Sequence, residues 1–155
     1  MSRKKTPMTL TQIRKFVKRA AGWPISVRYG EFEHLENVAS AVWDQEIELF
    51  PFIEVNKKSL PHLREVTLKA ALLHEIGHIA ETMTEEHCRS DAEYVAQCWA
   101  ICRAQVGGMK AIERRLNEML FVDWAAAPWN EARVYRMASG IAKKYGILAC
   151  DKGKD

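Results

Sequence analysis

Long hydrophobic runs are missing from this sequence of 155 residues. No apolar segment approaches the roughly 20 residues that cross a bilayer as a helix. The basic N-terminus leads into an amphipathic segment, whereas a signal peptide would continue into an apolar stretch and a cleavage site. Both absences argue against a membrane-spanning or secreted protein, and we expect the protein to be cytoplasmic.

Cysteine is scarce as well. The four cysteines form no Cys-x-x-Cys pair of the kind that structural zinc sites use. Cys98 and Cys102 lie four residues apart in an apolar helical stretch, where a free cysteine packs as a small hydrophobic side chain. We therefore expect reduced thiols and no cysteine in a functional site.

Acidic residues are absent from the first 20 residues, although the net charge of the whole chain is only +3. The basic side chains in this segment could contact nucleic acid weakly or bind an acidic partner. No base-reading or aromatic stacking motif accompanies them. The simpler interpretation is a disordered basic tip over residues 1–8, followed by a helix with one solvated, basic face.

The bulk composition is that of a folded domain, with 48% hydrophobic, 28% charged and 9% aromatic residues. A chain of this length can bury a core without disulfide bonds or a partner. We find no internal repeat, low-complexity tract or long linker. The sequence predicts a single domain over residues 1–155.

The N-terminal third predicts one helix and then a small sheet. Thr9-Leu-Thr-Gln12 has the form of a capping box, so a helix should run from there to about Ala21. Pro51 lies in the last of three strand candidates and lacks the N–H that a ladder needs, which favours an edge position or a bulge. The strand candidates are 25–29, 37–43 and 46–55.

From about Pro61 the apolar spacing becomes helical. The first of these helices should run to about Met83, with Pro61 in its opening turn. Further helices are predicted over about 90–106, 109–121 and 129–145. The predicted fold class is α+β, with an antiparallel or mixed sheet of about three strands followed by a helical body.

The segment His74-Glu75-Ile-Gly-His78 has the spacing of a metal site on a helix. Two histidines four residues apart share one helix face, and the glutamate after the first projects beside them toward a bound water. A shuffled chain of this composition would contain the pattern only about 0.015 times. We therefore predict that His74 and His78 bind zinc and that Glu75 is the catalytic base. Iron or manganese is the alternative metal, and two buried structural histidines are the alternative to a metal site.

A catalytic zinc takes three protein ligands and keeps one position for water, so another ligand is expected. Thr84 stands where the metzincin pattern has its third histidine, which disfavours that class. The downstream candidates are Glu93, Asp91 and His87.

Glu93 is preferred because its helix face is otherwise nearly bare. Small residues follow it at three- and four-residue steps, so the face can approach Gly77 beside the histidines. The competing interpretation is that Glu93 forms a capping box with Ser90 and needs no metal. The small residues are Ala96, Ala100 and Ala104.

The same residues resemble a known signature. HEIGH at 74–78 and EYVAQCWA at 93–100 are similar to the HExxH and ExxAxxFA motifs of ImmA/IrrE-type metallopeptidases, a gluzincin-like group, with Trp99 in place of the usual Phe. The resemblance covers about residues 50–104. It implies that His74, His78 and Glu93 are zinc ligands, that Glu75 is the general base, and that the substrate is a protein or peptide.

A zinc-dependent hydrolase of the metallopeptidase class is therefore the leading hypothesis. The alternatives are a catalytically inert or metal-stabilised homologue that binds a protein partner, and a nucleic-acid-associated protease tethered by its basic N-terminus. The run 46–55 could hold an extended peptide by strand addition if it forms an exposed edge. The oxyanion-stabilising residue is left unassigned among Tyr94, His87 and Tyr135.

Overall fold

The computed structural model of the chain describes residues 6–22, 25–42, 51–82 and 92–119. Over these residues the fold is α+β, as the sequence predicts. Met8, which falls in the predicted basic tip, is partly buried against the core. The predicted helix over 129–145 lies outside the described residues.

Helix α1 spans Leu10–Ala21 and begins with the predicted capping box. The Thr9 hydroxyl accepts from the Gln12 N–H at 3.2 Å, and the Gln12 side chain accepts from the Thr9 N–H at 2.9 Å. Gly22 ends the helix with a φ of 70°, a conformation that costs glycine little. The basic side chains of α1 are exposed, and a nucleic-acid contact through them stays a prediction. They are Arg14, Lys15, Lys18 and Arg19.

Three strands form a mixed sheet: β1 (Ser26–Gly30), β2 (Ala39–Val42) and β3 (Phe52–Asn56). Strand β3 lies in the centre, parallel to β1 and antiparallel to β2. The expectation that the third strand lies at an edge is therefore wrong. Pro51 precedes β3, so its missing N–H removes no bond from the ladder. The edges of the described sheet are β1 and β2.

The segment between β1 and β2 is held by two buried polar residues that follow along the chain. The Asn56 side chain donates to the carbonyls of His34 at 3.2 Å and Asn37 at 2.9 Å. The Ser59 hydroxyl donates to the carbonyl of Leu35 at 2.5 Å. Because these bonds anchor the segment just before β2, they fix where that edge strand runs.

The helical part begins with a 3₁₀ turn, Lys57–His62, and continues with α2 (Glu65–Thr82), α3 (Ala92–Val106) and α4 (Lys110–Glu118). Pro61 lies inside the 3₁₀ turn, so the prediction that it opens the long helix is wrong. Helix α2 packs against α1, β2, α3 and α4. It is therefore the central element of the described fold.

The core surrounds α2 on most of its circumference. Its aliphatic side chains meet the inner face of the sheet and the apolar side of α3. Burial on this scale leaves few solvated positions on α2, so each polar side chain there needs a partner. The largest fully buried core residues include Leu72, Leu73, Ile76, Ile79, Ile53 and Trp99.

The cysteines of α3 differ in state. Cys98 is a buried thiol outside any disulfide bond, in agreement with the prediction. Cys102 takes part in a disulfide bond, so the expectation of reduced thiols is wrong for that residue. Neither cysteine lines the cleft described below.

Among the described residues, no helix combines the length and the apolar character needed to cross a membrane.

Candidate metal centre

His74, His78 and Glu93 bring one donor atom each to a common point. The Nε2 atom of His74 lies 3.1 Å from Oε1 of Glu93, and the Nε2 atom of His78 lies 2.8 Å from Oε2 of the same carboxylate. One set of ligand atoms from the three residues lies within 4.8 Å of one another. Ligands of a tetrahedral zinc ion are roughly 3.3–3.5 Å apart, given metal–ligand bonds near 2.0–2.2 Å. This cluster could therefore hold a metal ion.

The two histidines meet because they are one turn apart on α2. Their rings are in edge contact, with centroids 4.7 Å apart and planes inclined at 82°. His74 is only 2% exposed, whereas the side chain of His78 is 21% exposed. The pair therefore reaches from the protein interior to the surface of a cleft.

Glu93 reaches the histidines because α2 and α3 approach very closely. A Cβ added to Gly77 would lie 2.5 Å from the carbonyl oxygen of Ala96 and 2.9 Å from its Cα. Only a glycine allows α3 to pass there, so the predicted approach at Gly77 is confirmed. Glu93 lies in the first turn of α3, and the helix crossing places its carboxylate over the histidines.

A buried glutamine, which was not predicted from the sequence, contacts the ring nitrogen of His74 that faces away from Glu93. Oε1 of Gln97 lies 2.7 Å from Nδ1 of His74, and Nε2 of Gln97 donates to the Leu116 carbonyl at 2.8 Å. Gln97 is 1% exposed and follows Glu93 by one helical turn. That i+4 spacing is the signal in the sequence that could have identified it.

This network determines which nitrogen of His74 carries a proton. The Leu116 carbonyl can only accept, so the Gln97 amide nitrogen faces it and the amide oxygen faces His74. Nδ1 must then be the donor, and in a neutral imidazole the lone pair of Nε2 points at the Glu93 carboxylate. Two acceptors 3.1 Å apart are stable only with a cation or a proton between them. The site is thus arranged for positive charge.

The Glu93 carboxylate is ionised. Contacts with His74, and then with His78, hold the pKa of this carboxyl well below its usual range, against the opposing effect of partial burial. Its side chain remains 56% exposed. The negative charge is therefore available to a cation that enters from the cleft.

Glu75 lies beside the cluster and contacts the sheet. Its Oε1 accepts a hydrogen bond from the Ala41 N–H of β2 at 3.0 Å. Burial raises the pKa of the Glu75 carboxyl, while the two histidines and the Ala41 N–H oppose that rise. A carboxyl with a raised pKa close to a metal site is suited to accept and return a proton.

A cleft of about 580 Å³ opens over these groups. One wall is the segment 36–41, which includes the start of β2, and the other consists of α2 residues with contributions from α3 and Met119. The second wall consists of Ala71, His74, Glu75, His78 and Ile79 of α2, Glu93 of α3, and Met119.

Of the other predicted candidates, Tyr94 lies among the described residues. Tyr94 is partly buried against the core and does not line the cleft, which gives no support to an oxyanion role for it. The alternative third ligands and the remaining oxyanion candidates lie outside the described residues, as does the proposed cap. These are Asp91, His87, Tyr135 and Ser90.

No protein-family model matches the chain, and no curated protein or solved structure shows significant similarity to it.

Proposed function

We propose that this protein is a zinc-dependent metallopeptidase in which His74, His78 and Glu93 hold the ion and Glu75 is the general base. The observation that supports this most directly is the convergence of the HExxH histidines with the Glu93 carboxylate at a cleft. Two imidazoles and one carboxylate are a ligand set that suits zinc and leaves a position for water. The similarity to the ImmA/IrrE-type signature points to the same chemistry.

Zinc in such a site supplies a Lewis acid and lowers the pKa of its bound water to roughly 7. Glu75 would take the proton of the attacking water and pass it to the departing amine. Its burial favours this role, because a carboxyl with a raised pKa is closer to the pH at which the enzyme works. Gln97 would keep the His74 lone pair directed at the ion.

A peptide substrate is favoured by the position of β2. This strand pairs with β3 on one side only within the described sheet, and it forms the wall of the cleft opposite the histidines. An extended peptide can add to such an edge through main-chain hydrogen bonds. The edge predicted from sequence was the third strand, and β2 supplies it instead.

Replacing Glu75 with Gln tests the catalytic proposal. Zinc-loaded wild type should hydrolyse members of a fluorescence-quenched decapeptide library, and the E75Q variant should be slower by about 10²–10⁴-fold because a proton acceptor is lost. Both proteins should contain one equivalent of zinc. Glu65→Gln is the matched control, since that glutamate is exposed on α2 and pairs with Lys69 away from the cleft.

Two outcomes would contradict the proposal in different ways. Undiminished hydrolysis by E75Q would exclude Glu75 as the base. A zinc-loaded wild type that cleaves nothing in the library would favour the second hypothesis, a metal-stabilised homologue that binds a partner without catalysis.

A further inference from the structure

Resting on the proposed function, we propose that a peptide pairs with the outer edge of β2 and thereby displaces Glu75 from the Ala41 N–H, so that substrate pairing frees the general base.

The register of β2 shows which groups face outward. The Asn56 N–H donates to the Val38 carbonyl at 2.8 Å, which makes Val38 and Asn56 a hydrogen-bonded pair. Such pairs alternate along an antiparallel ladder. Ala39 and Ala41, opposite Val55 and Ile53, are therefore non-hydrogen-bonded pairs. Their N–H and C=O groups point away from β3.

The two outward N–H groups differ in what they contact. The Ala41 N–H donates to Oε1 of Glu75 at 3.0 Å, which agrees with the register. The Ala39 N–H has no acceptor among the described residues. Glu75 thus accepts a hydrogen bond from one of the two outward N–H groups with which β2 could pair an added strand.

A peptide that extends along β2 toward the histidines needs both donors. Outward groups of a strand recur every second residue, about 6.6 Å apart, and an added strand uses them in succession. A peptide carbonyl at Ala41 must therefore replace the Glu75 carboxylate. The Ala41 N–H exchanges one acceptor for another, so no buried donor is left unsatisfied.

Displacement also changes what Glu75 can do. While Oε1 accepts from the Ala41 N–H, that oxygen has one lone pair fewer for the attacking water. Once released, both carboxylate oxygens are available to the water that attacks the peptide. The whole carboxylate would then be available to the water only when a peptide is paired with β2.

Amide hydrogen exchange of the ¹⁵N-labelled protein tests the starting arrangement. The Ala41 amide should exchange more slowly than the Ala39 amide, by about tenfold, because only the first is hydrogen-bonded. Glu75→Ala should remove this difference. Equal exchange of the two amides in the wild type would overturn the proposal without any assay of activity.

Peptide binding tests the displacement. Zinc-loaded E75A and E75Q are both expected to be inactive, but the glutamine amide oxygen can still accept from Ala41 and the alanine cannot. Immobilised E75A should therefore retain about five- to tenfold more of an equimolar random decapeptide library, capped at both ends, than immobilised E75Q. Retention is measured by mass spectrometry of the eluted peptides.

Ala39→Pro is the matched control for strand pairing. It removes an outward donor without removing a ladder bond to β3, so in the E75A background it should abolish the gain in retention. Equal retention by E75A and E75Q would overturn the proposal. So would a gain that survives Ala39→Pro, because the peptide would then fill the space left by the side chain without pairing.

Failure of this proposal differs from failure of the proposed function. If the wild type binds zinc and hydrolyses peptides, but E75A and E75Q retain equal amounts of peptide, only the proposed displacement of Glu75 is wrong. If the protein hydrolyses nothing, but the exchange and retention differences are observed, β2 is still a peptide-binding edge and the proposed peptidase function is wrong.

Discussion

At the scale of single residues, the site depends on one buried carboxamide as much as on its candidate ligands. Gln97 joins Nδ1 of His74 to the carbonyl of Leu116 and so fixes both the ring and its tautomer. In metal sites, such partners of a histidine hold the other nitrogen toward the ion. The network ties the cluster to α4, from which no candidate ligand comes.

Gln97→Ala should weaken zinc binding by about 10–100-fold, because His74 loses the acceptor that orients it. The measurement is competition with a chromophoric chelator, with circular dichroism to show that the variant is folded. Gln105→Ala is the control, since that glutamine is also on α3 but bonds to Glu113. Equal zinc affinity in wild type and Gln97→Ala would show that the carboxamide is only structural.

The sequence predicted the residues that converge but not the residue that orients them. His74, Glu75 and His78 follow from a short spacing on one helix, which is local information. The position of Glu93 required one further inference, a close helix crossing at Gly77. Gln97 was missed because its partner, the Leu116 carbonyl, becomes its neighbour only through the packing of α4 on α3.

At the scale of elements, the contact between α2 and α3 places the Glu93 carboxylate. The contact is closest at Gly77, where α3 presents backbone atoms of Ala96 directly. Side chains of ordinary size at this crossing would increase the separation of the helices. The distance from Glu93 to the histidines therefore depends on a glycine that binds nothing itself.

Gly77→Ala should destabilise the protein by about 1–3 kcal/mol, since the added methyl group would meet the Ala96 backbone at 2.5 Å. The sign of this change in the free energy of unfolding is informative, because replacing glycine with alanine in an open helix stabilises by about 0.5–1 kcal/mol. Urea denaturation measures the free energy of unfolding, and zinc affinity should fall with it. A more stable variant with normal zinc affinity would contradict the proposed role of the crossing.

Elements with local signals were predicted well, whereas their arrangement was not. The capping box at Thr9 was identified from four residues, and it is formed as expected. Strand order depends on pairing between segments distant in sequence, so the central place of β3 could not be inferred from Pro51 alone. Strand β3 contains Glu54 and Asn56, so it also lacks the continuous apolar run that would have indicated a central strand.

At the scale of the whole molecule, a metal ion would join the central helix to α3 at the cleft. Helix α2 contacts α1, β2, α3 and α4, so a tie between it and α3 bears on the stability of the entire described fold. An ion that binds only the folded state stabilises that state by mass action. Metal binding and folding are therefore expected to be linked.

Zinc at about 100 times its dissociation constant should raise the free energy of unfolding by about 2.7 kcal/mol. Thermal denaturation of wild type with and without zinc measures this as an increase in Tm. His78→Ala should show little or no increase, because one of the three proposed ligands is gone. Equal increases in the two proteins would place the bound zinc elsewhere.

Elemental analysis of the purified protein tests the proposed metal centre most directly. After dialysis against metal-free buffer, wild type and the control His62→Ala should each retain about one equivalent of zinc, and His78→Ala and Glu93→Ala should retain almost none. Wild type without zinc, or a His78→Ala variant that keeps a full equivalent, would show that His74, His78 and Glu93 do not form a zinc site.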